Sequence, residues 1–159
     1  MTQNLRVKSS EFIDETNRIS FKFDGKTYYG FKGDTLASAL IANNVHLVGR
    51  SFKYHRPRGI MTSGSEEPNA IVQVNPNSNI TEPNARATEI EIYEGLEASS
   101  QNCWPSVNFD IGGINNFLAP LFPAGFYYKT FMWPKSFWEK YEFFIRHSAG
   151  LGKSPNTRD

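Results

Sequence analysis

An alternating apolar run before Asp24-Gly25, with a second run after it, constrains the fold of this 159-residue chain more than any other feature. Ile19, Phe21 and Phe23 alternate with polar residues, which is the period of a strand with one buried face. The Asp-Gly pair favours the positive φ angles of a two-residue hairpin turn, and residues 26–31 then run back. We therefore expect a β-hairpin where the ordered chain begins, near Arg18.

A short amphipathic helix is predicted directly after the hairpin. Asp34 or Thr35 can accept a hydrogen bond from its first amides, and Asn43-Asn44 can end it. The residues between them include apolar side chains that share one helical face: Leu36, Ala37, Leu40 and Ile41.

Three further apolar runs predict strands, at residues 45–48, 70–74 and 88–93. In the last run isoleucine alternates with glutamate. The predicted order is β-β-α-β-loop-β-loop-β, which indicates an α+β domain of the ubiquitin-like, β-grasp type. Several other small folds have the same order, so the order alone leaves them open.

Composition limits the class of protein. With 39% hydrophobic residues the chain can bury one ordinary core, and its formal net charge of +1 is too small for a globally basic nucleic-acid binder. The single cysteine, Cys103, excludes an internal disulfide and is expected to act as a small apolar residue. No apolar segment has the length of a membrane span or the pattern of a signal peptide, so we expect a cytoplasmic protein without a membrane partner.

The densest charge lies in residues 49–59, here called the basic loop. Its proline and glycine disfavour a helix, and it carries four predicted anion or interface anchors: Arg50, Lys53, Arg56 and Arg58. A solvated loop with weak surface ion pairs is the plain alternative. Phe52 and Tyr54 interleave with the cations, which would also suit stacking on single-stranded nucleic acid, but the absence of a wider basic surface disfavours that partner.

Three acid–base candidates near the basic loop are predicted to be structural. His55 has no cysteine, serine or carboxylate at a recognised spacing, so it is expected to be a hydrogen-bonding loop residue. Glu66 and Glu67 are adjacent, and adjacent side chains of an extended chain point opposite ways. We therefore favour solvated or ion-paired roles for both over an acid–base pair.

The composition changes after Gln101, where 14 of the 23 aromatic residues lie. Prolines divide this part, and its last piece predicts a helix that opens with a capping box at Ser136 and closes near Gly150. So much aromatic surface would stay wet without a partner, which predicts an interaction segment. We expect four parts: a flexible arm (1–17), a β-grasp domain (18–101), an aromatic-rich extension (102–150) and a linker (151–159).

Three long strings carry a family resemblance: GDTLASALIANNVHLVGRSFKYHRPRGIMTSGSEEPNA, RATEIEIYEGLEASSQN and FPAGFYYKTFMWPKSFWEKYE. They resemble the N-terminal region of the alpha subunit of heterotetrameric sarcosine oxidases, and the similarity runs from about Arg18 to Gly152. In that family a ferredoxin-like domain precedes a nucleotide-binding domain with a glycine-rich fingerprint. The fingerprint does not occur in these 159 residues, so we expect the first segment of a longer polypeptide or a separately made piece of it.

The ferredoxin resemblance implies four positions for cluster ligands. Plant-type two-iron clusters are held by thiolates spaced C-x4-C-x2-C, with a fourth cysteine later in the chain. Aligned from Gly59, these positions fall on Thr62, Glu67, Ala70 and Thr88. None is a cysteine. The resemblance therefore implies vestigial ligand positions and a segment that binds neither a metal nor a cofactor.

For the whole enzyme, the resemblance implies oxidative demethylation of sarcosine to glycine with FAD, FMN, NAD and tetrahydrofolate. This segment is then expected to be a non-catalytic assembly domain whose partners are the remaining alpha-subunit domains and the other subunits. Alternatives are an independent module that binds an acidic protein, nucleic acid or another anion, and the equivalent subunit of a proline or opine dehydrogenase. A small electron-transfer protein is disfavoured by the missing thiolates.

Overall fold

The computed structural model describes residues 3, 5–7, 12–77, 80–121 and 133–149. Its strands and first helix follow the chain in this order: β1 Asp14–Phe23, β2 Lys26–Lys32, α1 Leu36–Ala42, β3 Gly49–Arg50, β4 Pro57–Arg58, β5 Ile71–Asn77, β6 Ile80–Arg86 and β7 Leu96–Ser100.

Five of these strands form one mixed sheet in the order β2-β1-β7-β5-β6. β1 and β7 pair in parallel, with Phe21 opposite Leu96 and Phe23 opposite Ala98, while the other pairs are antiparallel. A parallel pair at the centre joins the N-terminal hairpin to the last strand, as a β-grasp arrangement requires. The predicted α+β class is therefore confirmed.

The predicted hairpin is also confirmed. Asp24 and Gly25 have φ angles of 48° and 74°, the signs that a type I′ turn requires, and Phe23 pairs with Lys26 across it. β1 begins at Asp14, earlier than expected, with an irregular register before Arg18.

The predicted arm, residues 1–17, is attached to the domain at Arg6. The Arg6 guanidinium donates to both oxygens of the fully buried Asp34 carboxylate, at 3.1 and 2.5 Å. Phe31 N and Ser38 Oγ donate to the same carboxylate. The division of the chain at residue 17 stays a prediction.

Helix α1 begins as the sequence predicts, with Thr35 rather than Asp34 as its capping residue. Thr35 Oγ1 accepts a hydrogen bond from Ser38 N at 3.2 Å. The amides of Leu36 and Ala37 donate to main-chain carbonyls of residues 90 and 87, at 2.7 and 2.9 Å. The buried side of the helix packs into the core.

The prediction of a strand at residues 88–93 is wrong. This segment crosses the start of α1, where the Ile90 carbonyl accepts the Leu36 amide and Ile92 N donates to Asp34 O. Its alternating pattern buries Ile92 against the core without ladder partners on a neighbouring strand. The sheet positions belong instead to β6 and β7, which the sequence analysis missed.

The two missed strands have weak local signals. β6 contains Pro83 and has Asn84 at a φ of 61°, which suits an edge strand with an irregular register. Three of the five residues of β7 are alanine or serine, which give a weak strand signal, yet β7 is central in the sheet. The run at residues 45–48 forms no strand and leads into β3, whereas the run at 70–74 is confirmed within β5.

The core lies between α1 and the sheet. Ile41, predicted on the apolar face of the helix, is only partly buried, as is Phe31, and Ile90 packs at the edge of the core. The buried cluster consists of Phe21, Phe23, Leu36, Ala37, Ala39, Leu40, Val48, Ala70, Val72, Val74, Ala87, Ile92, Leu96 and Ala98.

The described parts of the extension contain short helical pieces. A 3-10 turn at Ile111–Gly113 leads into α2, Ile114–Phe117, and a second turn follows at Ala119–Leu121. A turn at Lys135–Phe137 leads into α3, Trp138–Ala149, which confirms the predicted helix, although Ser136 lies inside the turn and not before it. The rest of the extension and the predicted linker, 151–159, lie outside the described residues. None of the described helices has the length and apolar character needed to cross a membrane.

Candidate functional site

Three of the four predicted vestigial ligand positions, Thr62, Glu67 and Ala70, lie within one loop, residues 59–70, here called the cluster loop, and Thr88 contacts this loop from outside. Glu67, Ala70 and Thr88 are buried, and Thr62 is exposed. Thr88 Oγ1 donates to Gly64 O at 2.6 Å, which fastens the cluster loop to the segment after β6. The structure thus brings together positions that are up to 26 residues apart in the sequence.

The Glu67 carboxylate lies at the centre of this loop. Its Oε2 accepts hydrogen bonds from the amides of Met61 and Thr62, both at 2.6 Å. Its Oε1 accepts from the amides of Asn69 and Ala70, at 2.7 and 3.1 Å. The two oxygens therefore satisfy four backbone donors of a single loop.

The ionised form of Glu67 is the favoured one. Burial by itself raises the pKa of this carboxyl group, but the four backbone N–H donors stabilise the anion and hold the net pKa below its ordinary value. The prediction of a solvated or ion-paired role is wrong for Glu67, whose side chain is buried among amides, whereas Glu66 is exposed. The sequence feature that could have indicated this role is the position of Glu67 inside a loop rich in glycine, serine and proline.

These residues do not fit a two-iron cluster. Thr62, Ala70 and Thr88 offer no thiolate, and the Glu67 carboxylate already engages the amides of the cluster loop. Over the described part of the chain, no group of three or more histidine, cysteine, aspartate or glutamate residues is placed to hold a metal ion.

Cys103 lies apart from the cluster loop, beside a groove of about 770 Å³ between the hairpin turn, residues 44–47 and the start of the extension. Its Sγ is 3.3 Å from Ser100 Oγ, and burial raises the pKa of the thiol. A thiol held in its protonated form is a poor nucleophile.

The arginine side chains of the basic loop donate hydrogen bonds to acceptor groups in different parts of the chain. Arg50 Nε donates to Val107 O at 2.9 Å, and its Nη1 donates to His55 O at 3.0 Å. Arg58 Nη1 donates to Asn69 Oδ1 at 2.9 Å, which ties β4 to the cluster loop.

The other two cations of the basic loop share one aromatic ring. The guanidinium carbon of Arg56 and Nζ of Lys53 lie 4.8 and 4.9 Å from the centroid of Tyr54. Arg56 Nε also donates to Asn116 Oδ1 at 3.1 Å, in the extension. Arg58 thus links the basic loop to the cluster loop, and Arg50 and Arg56 link it to the extension.

His55 and Asp110 form a second link between the basic loop and the extension. His55 Nδ1 lies 2.7 Å from Asp110 Oδ2, and the Asp110 side chain is fully buried. Burial raises the pKa of Asp110, but the amides of Trp104 and Gly112 and the His55 side chain outweigh it, so the net pKa lies below its ordinary value. His55 is therefore a hydrogen-bonding loop residue, as expected, with a partner that sequence spacing did not reveal.

Residues 104–118, here called the exposed apolar segment, carry large apolar side chains in contact with solvent. Trp104 is 67% exposed and Phe117 is 84% exposed. The segment includes four further exposed apolar side chains: Phe109, Ile111, Ile114 and Leu118. Six exposed apolar side chains are thus concentrated within residues 104–118.

Residues 16–103 match the family described as "2Fe-2S iron-sulfur cluster binding domain". Among solved structures, L-proline dehydrogenase from P.horikoshii matches 54% of this chain and 16% of its own, with 22% identity and a TM-score of 0.43.

Curated relatives include proteins named sarcosine oxidase subunit alpha. The one from Rhizobium meliloti (strain 1021) is 58% identical over 97% of this chain, and the one from Corynebacterium sp. (strain U-96) is 37% identical over 55% of it. The chain spans 16% and 9% of the lengths of these two relatives. The resemblance stated from the sequence is confirmed.

Proposed function

Because the chain belongs to the family of 2Fe-2S iron-sulfur cluster binding domains and is homologous to sarcosine oxidase alpha subunits, we propose that it is a cluster-free member that serves as an assembly domain in an enzyme of that type. The whole enzyme would oxidise sarcosine in the cytoplasm. Its FAD, FMN, NAD and tetrahydrofolate sites would lie outside this chain, on other alpha-subunit domains and other subunits.

The observation that carries this proposal is the exposed apolar segment, fastened to the basic loop. Aromatic side chains of this size bury about 150–250 Å² each when a partner covers them. Trp104 N donates to Asp110 Oδ1 at 3.0 Å, and Asp110 pairs with His55, so the backbone at the start of the segment is held before any partner arrives. A surface that is already ordered loses less conformational entropy on binding.

Assembly fits the cluster loop as well. A carboxylate buried among backbone amides gives this loop a stable shape without a redox centre. The residues that a cluster would need for electron transfer are absent, so a structural role explains the retained fold better than an electron-transfer role.

The test is co-purification of this chain with the remaining alpha-subunit polypeptide and the other subunits. Phe117→Ser and Trp104→Ser are expected to reduce recovery of the complex about tenfold or more, since truncation of a central aromatic side chain often removes over 1.4 kcal/mol of binding free energy. Tyr93→Ser is the matched control, because Tyr93 is 43% exposed but lies outside the exposed apolar segment. Unchanged recovery of both test variants would refute the assembly role.

The rival function is an independent anion-binding module. The same co-purification, carried out with an Arg58 variant, distinguishes it from the assembly role. Arg58→Lys keeps the charge but loses the planar fork. The assembly proposal expects weaker complex formation or flavin retention in this variant. If both stay intact, while the chain binds nucleic acid with an affinity that falls steeply with salt, the rival is correct.

A further inference from the structure

The cluster loop has the donor pattern of an anion site. Four backbone N–H groups, from Met61, Thr62, Asn69 and Ala70, converge within 3.1 Å of two oxygens that belong to one side chain. Converging amides form a concave site of partial positive charge, which favours an anion. Glu67 is 1% exposed, so the anion is removed from water.

Two of these four amides belong to vestigial ligand positions, Thr62 and Ala70, and Glu67 is a third. In cluster-binding domains the loop surrounds an anionic cluster, and hydrogen bonds to the cluster sulfurs are part of the site. The donors of such a loop need an acceptor whether or not a cluster is present, because an unsatisfied buried donor is strongly destabilising.

We propose that the cluster loop is a small-anion site and that the Glu67 carboxylate is its built-in ligand, in the place that the cluster has in cluster-binding relatives. The charge that organises the loop comes from the chain and not from a metal centre. This inference does not depend on the assembly role, because it concerns only the loop's own stability.

The site is matched to a carboxylate. Each Glu67 oxygen accepts two amides, as both oxygens of an ionised carboxyl group can. A neutral side-chain amide has only one accepting oxygen, and its NH2 group would face two N–H donors. Removing the Glu67 side chain beyond Cβ would leave space for one methylene and one carboxylate, a space that formate can occupy.

The experiment is anion rescue of Glu67→Ala in the full chain at neutral pH. We expect its melting temperature to fall by more than about 10 °C, because four donors lose their acceptor. Formate at tenths of a molar should restore at least half of that loss through binding to the folded state. Formamide at the same concentration and sodium chloride at the same ionic strength should restore little.

Glu66→Ala is the matched control, because it removes an exposed carboxylate from the adjacent position. It should change the melting temperature by less than about 2 °C and should show no specific response to formate. The proposal is overturned if Glu67→Ala is as stable as this control, or if formate stabilises Glu67→Ala no more than it stabilises Glu66→Ala.

Glu67→Gln keeps the test decisive if the alanine variant does not fold in plain buffer. This variant preserves side-chain volume. The anion-site proposal therefore predicts a large loss of stability, whereas a role of Glu67 in packing alone predicts almost none. Wild-type stability of Glu67→Gln would overturn the proposal. Refolding of Glu67→Ala in formate but not in formamide would support it, and failure to refold in both would count against it.

Discussion

His55 Nδ1 lies 2.7 Å from Asp110 Oδ2, across 55 positions of sequence. His55 has a φ of 53°, an uncommon value for a residue with a side chain, and its carbonyl accepts a hydrogen bond from Arg50 Nη1. The same Asp110 carboxylate receives the amides of Trp104 and Gly112. One buried carboxylate therefore sets the conformation of the basic loop and of the exposed apolar segment at the same time.

Removing the Asp110 carboxylate should make the free energy of unfolding depend less on pH in the acid range. The pKa of Asp110 is lowered in the folded chain, so its contribution is fully present above the unfolded value of about 3.9 and is lost as pH falls through the folded pKa. We expect Asp110→Asn to lower the free energy of unfolding at pH 7 by about 1–3 kcal/mol, since buried donors lose an ionised acceptor. Denaturant unfolding between pH 2 and pH 7 measures this. The prediction is contradicted if the free energies of unfolding of the wild type and Asp110→Asn differ as much at pH 2 as at pH 7.

Gly112 is expected to be intolerant of any side chain. A Cβ at this position would overlap the imidazole ring of His55. Gly112→Ala should therefore lower the free energy of unfolding by about 1–3 kcal/mol through displacement of His55. Gly113→Ala is the matched control, because a Cβ there meets no atom within 4 Å and its φ of −57° suits alanine. Thermal unfolding of both variants checks the prediction, and equal melting temperatures would contradict it.

Arg50 should not be replaceable by lysine. Its Nε and Nη1 reach two different carbonyls, those of Val107 and His55, and a single ammonium group cannot reproduce that fork. We expect Arg50→Lys to lower the free energy of unfolding by about 1–2 kcal/mol. Arg86→Lys provides the comparison, because the Arg86–Glu89 pair is exposed and should contribute less than about 0.5 kcal/mol. An equal effect of the two changes would show that the fork is unimportant.

The purified chain should be colourless and free of iron. The side chains at positions 62, 67, 70 and 88 offer no thiolate, and a carboxylate engages the amides of the cluster loop. Iron and sulfide analysis after anaerobic purification measures this directly. Stoichiometric iron and sulfide, with visible absorption that is lost on reduction, would show that the ligand positions are misassigned.

Residue pattern alone was enough for the parts of the fold that local chemistry decides. The Asp24-Gly25 turn, a capped start of α1 at Asp34 or Thr35 and the run that becomes β5 were predicted from the sequence, and the structure selects Thr35 as the cap. The error at residues 88–93 has a physical cause. An alternating apolar pattern reports which side chains are buried, but it does not report whether the backbone pairs with a strand or with the free amides of a helix end.

In the candidate site, too, the sequence determines some features and only the tertiary structure determines the others. The ferredoxin resemblance implies that Thr62, Glu67, Ala70 and Thr88 stand at ligand positions, and the sequence shows that none of them is a cysteine, because the type of each side chain is a property of the sequence. Only the tertiary structure decided that Glu67 accepts four amides and that His55 meets Asp110. Both outcomes depend on where backbone donors converge after the sheet and the loops are in place, and no local residue preference encodes that convergence.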